Sequence, residues 1–190
     1  MPYLFGTAAF LGAFLLFCVE PMLARMVLPG FGGGPAVWNV CMVFFQAMLL
    51  AGYGYAHAAI AGLGARRQAV LHLGLLALAA VFLPTVVIAS ETVVGSPSLR
   101  LLGRLLATAG LPFFAVAASA PMLQRWLAAT GRRAGDPYVL YAASNAGSLL
   151  ALVGYVALVE PNLTLRDQAR LWAAGYAVLA GLVVACAVAL

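Results

Sequence analysis

Lysine is absent from this chain of 190 residues, and charge of either sign is scarce, with Asp, Glu, Lys and Arg together at 8%. A soluble domain carries about a quarter charged residues, so most of this chain's surface is not built to meet water. The three cysteines, Cys18, Cys41 and Cys186, each lie inside an apolar run. Their spacing suits neither a disulfide framework nor a metal-ligand set, and they read as small buried apolar side chains. No Ser/His/Asp arrangement and no pair of carboxylates is visible, so catalysis and cofactors are not expected of this chain. The net charge of +5 comes from arginine alone. These arginines lie at the ends of apolar runs and in short loops, where lipid headgroups meet them, which argues against a nucleic-acid partner.

What is present is apolar. Hydrophobic residues make up 65% of the chain and mean hydropathy is +1.06. The runs exceed the roughly 20 residues needed to cross about 30 Å of hydrocarbon at ~1.5 Å per residue. The chain therefore reads as one all-α integral membrane domain, 1–190, embedded in a lipid bilayer. Six transmembrane helices are expected at about 3–28, 36–60, 68–89, 99–127, 137–159 and 166–190. The first lacks a Lys/Arg-bearing start and a small-residue cleavage site, and is expected to be retained. Pro21 should kink it, and Pro112 and Pro121 should break the fourth. The glycine-rich stretch Pro29–Pro35 reads as a tight loop without the Lys of a phosphate-binding loop.

The sequence also repeats itself. Glu20-Pro21-Met22-Leu23-Ala24-Arg25 returns as Ala120-Pro121-Met122-Leu123-Gln124-Arg125. In the same order Pro35-Ala36-Val37 pairs with Pro137-Tyr138-Val139, and Gly52-Tyr53 with Gly154-Tyr155. Arg66-Arg67-Gln68-Ala69 pairs with Arg166-Asp167-Gln168-Ala169. Such matches in register describe an internal duplication, repeat one at 1–90 and repeat two at 99–190. Three spans is an odd number, so the second repeat must enter the membrane from the opposite side. The expectation is thus two inverted three-helix repeats with a site near the midplane between them.

Glu20 is the sharpest candidate residue. A carboxylate within hydrocarbon costs about 2.5–3.5 kcal/mol on insertion scales, so it is tolerated where it is paired, protonated or lining a cavity. Two readings stand side by side: a cation or proton site, or a structural pair with Arg25. Asn39, Gln46 and Tyr53 recur every seven residues on one face of the second span. Tyr141, Ser148 and Tyr155 do the same on the fifth, with Ser144 and Asn145 alongside. These faces line a polar cleft in one reading and glue neighbouring helices in the other. His57 and Glu160 read as residues at headgroup level.

EPMLARMVLPGFGGGPAVWN, QAMLLAGYGYAH, ARRQAVLHL, SAPMLQRW, DPYVLYAASNAGSLLALVGY and VEPNLTLRDQARLW resemble the membrane part of bacterial spermidine synthase-like proteins, fusions of a major-facilitator-like domain with a spermidine synthase domain. The resemblance covers nearly the whole chain. It implies a half-major-facilitator-like fold in the bacterial inner membrane, both termini cytoplasmic, with a cytoplasmic aminopropyltransferase-like domain or protein as partner. No strand–GxGxxG–helix unit occurs here, so synthase activity is not expected of this polypeptide. The expected function is a transporter-like half unit for a small polar or cationic, polyamine-like solute, acting as a homo-oligomer or hetero-complex subunit. The alternative is a non-transporting anchor or scaffold subunit of an enzyme or larger membrane complex. Arginines divide five against five between the two sides, so charge does not orient the chain.

Overall fold

The computed structural model describes residues 2–86, 96–130 and 138–190. These form five long helices and no strand: α1 (Pro2–Phe31), α2 (Pro35–Ala80), α3 (Pro97–Ala129), α4 (Tyr138–Asn162) and α5 (Leu165–Val188). Each is long and apolar enough to cross a membrane. The linker at 87–95 and the loop bearing Arg132 and Arg133 lie outside the described residues.

At 46 residues α2 would be about 69 Å long if straight, over twice the thickness of a bilayer's hydrocarbon. It is instead folded back at Gly64, whose φ of 71° and ψ of 169° suit a residue without Cβ. Beyond it the two arms lie side by side. Gln68 Nε2 donates to the Ala56 carbonyl at 2.9 Å, and the Tyr55 and His72 rings are 6.3 Å apart. The arms correspond to the spans expected at 36–60 and 68–89, but the second ends as helix at Ala80, and residues 81–86 are turn and irregular backbone.

Pro112 and Pro121 do not break their helix as expected. α1 runs through Pro21 and Pro29 to Phe31, which leaves only Gly32, Gly33 and Gly34 between the first two helices. α3 runs through Pro112 and Pro121 without a break. A proline ring presses on the carbonyl four residues earlier, which for Pro112 belongs to Thr108. That carbonyl lies in a π-turn, Leu106–Gly110, where the wider spiral makes room. Pro161 repeats the arrangement, since Ala157 lies in the π-turn Tyr155–Val159 of α4.

Packing is crossed. α1 lies chiefly against α4, and α2 chiefly against α3, with α1 also touching α3 and α5. Phe44 and Phe45 of α2 meet Phe113 of α3 with ring centroids 6.0 and 5.4 Å apart. Small residues let the backbones close in, as membrane helices require where no hydrophobic force drives them together. Gly52 sits where a Cβ would come within 3.1 Å of Ala117 and of the Ala118 backbone. At Gly147 of α4 a Cβ would collide with the Phe10 carbonyl of α1.

Gly147→Ala should therefore lower the melting temperature in detergent, at a cost of about 1–3 kcal/mol for overpacking. Gly154→Ala on the same helix meets open space and should be neutral or mildly stabilising. Equal melting of the two variants would mean that α1 and α4 do not touch at Phe10.

Candidate functional site

The candidate residues do not converge. Arg25 does not pair with Glu20; its Nη1 lies 2.9 Å from Glu160 Oε1, joining α1 to the end of α4. Glu160 is therefore an ion-pair partner as well as a residue near the end of its helix. Both side chains are 40% exposed, which limits the pair to about 0–1 kcal/mol. Glu20 is half-buried just past the middle of α1, with neither a hydrogen bond nor an ion pair among the described residues. Asn39, Gln46 and Asn145 are exposed on the outer faces of α2 and α4. Ser144 and Ser148 are half-buried, and the Ser148 hydroxyl donates back to the Ser144 carbonyl at 3.1 Å, one turn away on its own helix.

Two buried polar clusters form instead, at positions a hundred residues apart. In the second half of the chain Gln168 is the hub. The Tyr155 hydroxyl donates to Gln168 Oε1 at 2.9 Å, and Gln168 Nε2 donates to the Leu163 carbonyl at 2.9 Å. One turn on, Trp172 Nε1 donates to the Leu15 carbonyl of α1 at 2.8 Å. In the first half Gln68 is the hub, holding Ala56 through Nε2 and accepting from Trp126 Nε1 at 2.8 Å. One turn on, His72 Nε2 lies 3.0 Å from the Ser119 hydroxyl. Between the clusters the Tyr176 hydroxyl donates to the Leu76 carbonyl at 2.9 Å.

This burial pattern alters the register read from sequence. Tyr53 is 51% exposed whereas Tyr155 is 2% exposed, so the two do not play the same part. The residue facing inward in the first half is Tyr55, and Gly54-Tyr55 is the match to Gly154-Tyr155. The signal for the clusters was present in Arg66-Arg67-Gln68-Ala69 and Arg166-Asp167-Gln168-Ala169. It marked the glutamines as repeated without saying that they face inward, because a helix of apolar residues has no polar face to contrast with.

Beside Gln168 opens a cavity of about 240 Å³ lined by Phe14, Cys18, Met22, Tyr155, Val159 and Trp172, among others. Its walls are apolar, with the phenol and the glutamine as the polar groups, so it suits an apolar or amphiphilic chain rather than an ion. A second cleft of about 370 Å³ lies between Tyr53, His57, Pro121, Gln124 and Arg125. Among the described residues no group of three His, Cys, Asp or Glu comes together, and the three cysteines are free.

No family model, curated protein or solved structure matches the chain.

The ion pair makes a sharp statement about Glu20. In a double-mutant cycle, Arg25→Gln and Glu160→Gln should be non-additive by up to about 1 kcal/mol in melting experiments. Glu20→Gln should add independently to Arg25→Gln. Coupling of Arg25 to Glu20 instead of Glu160 would contradict the observed pairing.

Proposed function

We propose that the chain is one half of a transporter-like membrane unit for a small polar or cationic solute, working as an oligomer. The observation that carries this reading is the crossed packing. The first helix of each sequence repeat lies on the second span of the other, α1 on α4 and α3 on the first arm of α2. The third spans follow the same rule, Trp172 reaching Leu15 of α1 and His72 reaching Ser119 of α3. Tyr176 and Leu76, which correspond to each other, meet between the halves. This is the pattern expected of two inverted three-helix repeats, with the arms of α2 counted as two spans.

Exposed amides support the oligomer. Asn39, Gln46 and Asn145 lie on outer faces of apolar helices, where lipid offers them no hydrogen bond. A second subunit covering α2 and α4 would satisfy them and enclose a pathway that one bundle lacks. Glu20, half-buried and unpaired among the described residues, is the proposed solute or proton site in the membrane interior. The resemblance to spermidine synthase-like proteins points to a polyamine-like cation, a bacterial inner membrane and cytoplasmic termini. The outward amides equally suit an anchor or scaffold subunit, for which the same face would hold a partner.

Purified protein in liposomes should accumulate a labelled linear polyamine saturably and in response to an ion gradient. Glu20→Gln should abolish that uptake with little change in melting. No uptake, together with stoichiometric co-purification of a soluble enzyme, would decide for the anchor. A monodisperse monomer with intact uptake would remove the oligomer. A reporter active only in the periplasm, fused after Leu190, should stay silent.

A further inference from the structure

His72 has no exposed surface and lies on the second arm of α2 against α3. Its Nε2 faces Ser119, whose hydroxyl donates its only hydrogen to the Ala115 carbonyl at 2.9 Å. The Ser119 oxygen must then accept, so Nε2 carries the imidazole hydrogen and Nδ1 of the neutral ring is a bare acceptor. Among the described residues no group meets Nδ1, and none meets the hydroxyl of Tyr55, although both atoms are buried. The two rings are neighbours at 6.3 Å. Trp126, 6.2 Å from the His72 ring, and Phe114, 5.4 Å from the Tyr55 ring, wall the place off with aromatic surface.

A buried polar group without a partner is destabilising, and here the spare donor and the spare acceptor sit on neighbouring rings. At the matching positions 155 and 172 there is no such surplus. There Trp172 stands where His72 stands here, and its single N–H is used on Leu15. Tyr155, the counterpart of Tyr55, gives its hydrogen to Gln168. Two substitutions between the repeats thus create the surplus. Imidazole in place of indole adds a second ring nitrogen, and Gln68 accepts from Trp126 rather than from Tyr55.

We infer that Tyr55 and His72 hold one ordered water inside the bundle. It accepts from the Tyr55 hydroxyl and donates to His72 Nδ1, within the usual two to four polar partners of a buried water. A hydrogen-bonded chain then runs from Tyr55 through the water, His72 and Ser119 to the Ala115 carbonyl, crossing from the first arm of α2 to α3. It is independent of whether the protein transports anything.

The test uses the full chain in lipid with ¹⁵N-histidine. His57→Gln leaves His72 as the only labelled residue, since the chain has two histidines. Solid-state spectra should show Nε2 protonated, Nδ1 unprotonated, and magnetisation passing from water to Nδ1. Tyr55→Phe should remove that transfer and lower the melting temperature. A protonated Nδ1, or no water transfer in the His57→Gln protein, overturns the inference. So does a rise in melting temperature for Tyr55→Phe, because deleting a hydroxyl that truly has no partner relieves a cost. Should Tyr55→Phe fail to fold, the spectrum of His57→Gln alone decides.

Discussion

Within an apolar bundle a serine hydroxyl can turn back onto its own helix, but an indole or phenol finds its partner on another. Backbone groups are already paired inside each helix, and neither hydrocarbon nor apolar side chains accept a hydrogen bond. The five helices are therefore joined at the few polar side chains they carry. Trp172 fastens α5 to α1, Tyr176 fastens α5 to α2, and Trp126 and Ser119 fasten α3 to the second arm of α2. Each of these contacts reaches a carbonyl, an amide or a hydroxyl that is itself buried, so the partners leave little freedom of register. Apolar packing supplies the bulk of the contact area, but leucine against alanine slides more easily than indole on a carbonyl.

Close approach is the second condition for those bonds. Gly147 allows α4 to reach the Phe10 backbone, and Gly52 allows α2 to reach Ala117 and Ala118. Prolines would have spoiled such straight contacts had they broken the helices. The π-turns before Pro112 and Pro161 absorb the extra ring, so the helices pass through them intact. Pro161 and the turn before it also bring Glu160 to the end of α4, where Arg25 can reach it.

The two halves of the sequence are alike in plan and unlike in detail. Gln68 and Gln168 are both hubs one turn before a ring that bonds across to the other half. The ring is an imidazole in one and an indole in the other. A bulky indole from Trp126 fills the neighbourhood of Gln68, while beside Gln168 there is an apolar cavity. The halves can differ in this way because each keeps the contacts that fix its helices and varies what lies next to them.

Apolar run length by itself determined that the chain is helical and long enough in each segment to cross a membrane, since hydrocarbon thickness sets a minimum that composition either meets or fails. Recurrence of short motifs was also legible, as was the break between the spans expected at 36–60 and 68–89, where Gly64 has a φ of 71°. Which polar residues face inward was not. On an amphipathic helix the polar stripe announces the solvent side, but here Asn39 and Gln46 look no different from Gln68 until neighbours are in place. Tertiary packing decided that Asn39 and Gln46 lie outside, that Tyr55 rather than Tyr53 turns in, and that Arg25 meets Glu160 rather than Glu20. These choices depend on helix rotation and on contacts up to 157 residues apart, such as Trp172 to Leu15, which no local pattern encodes.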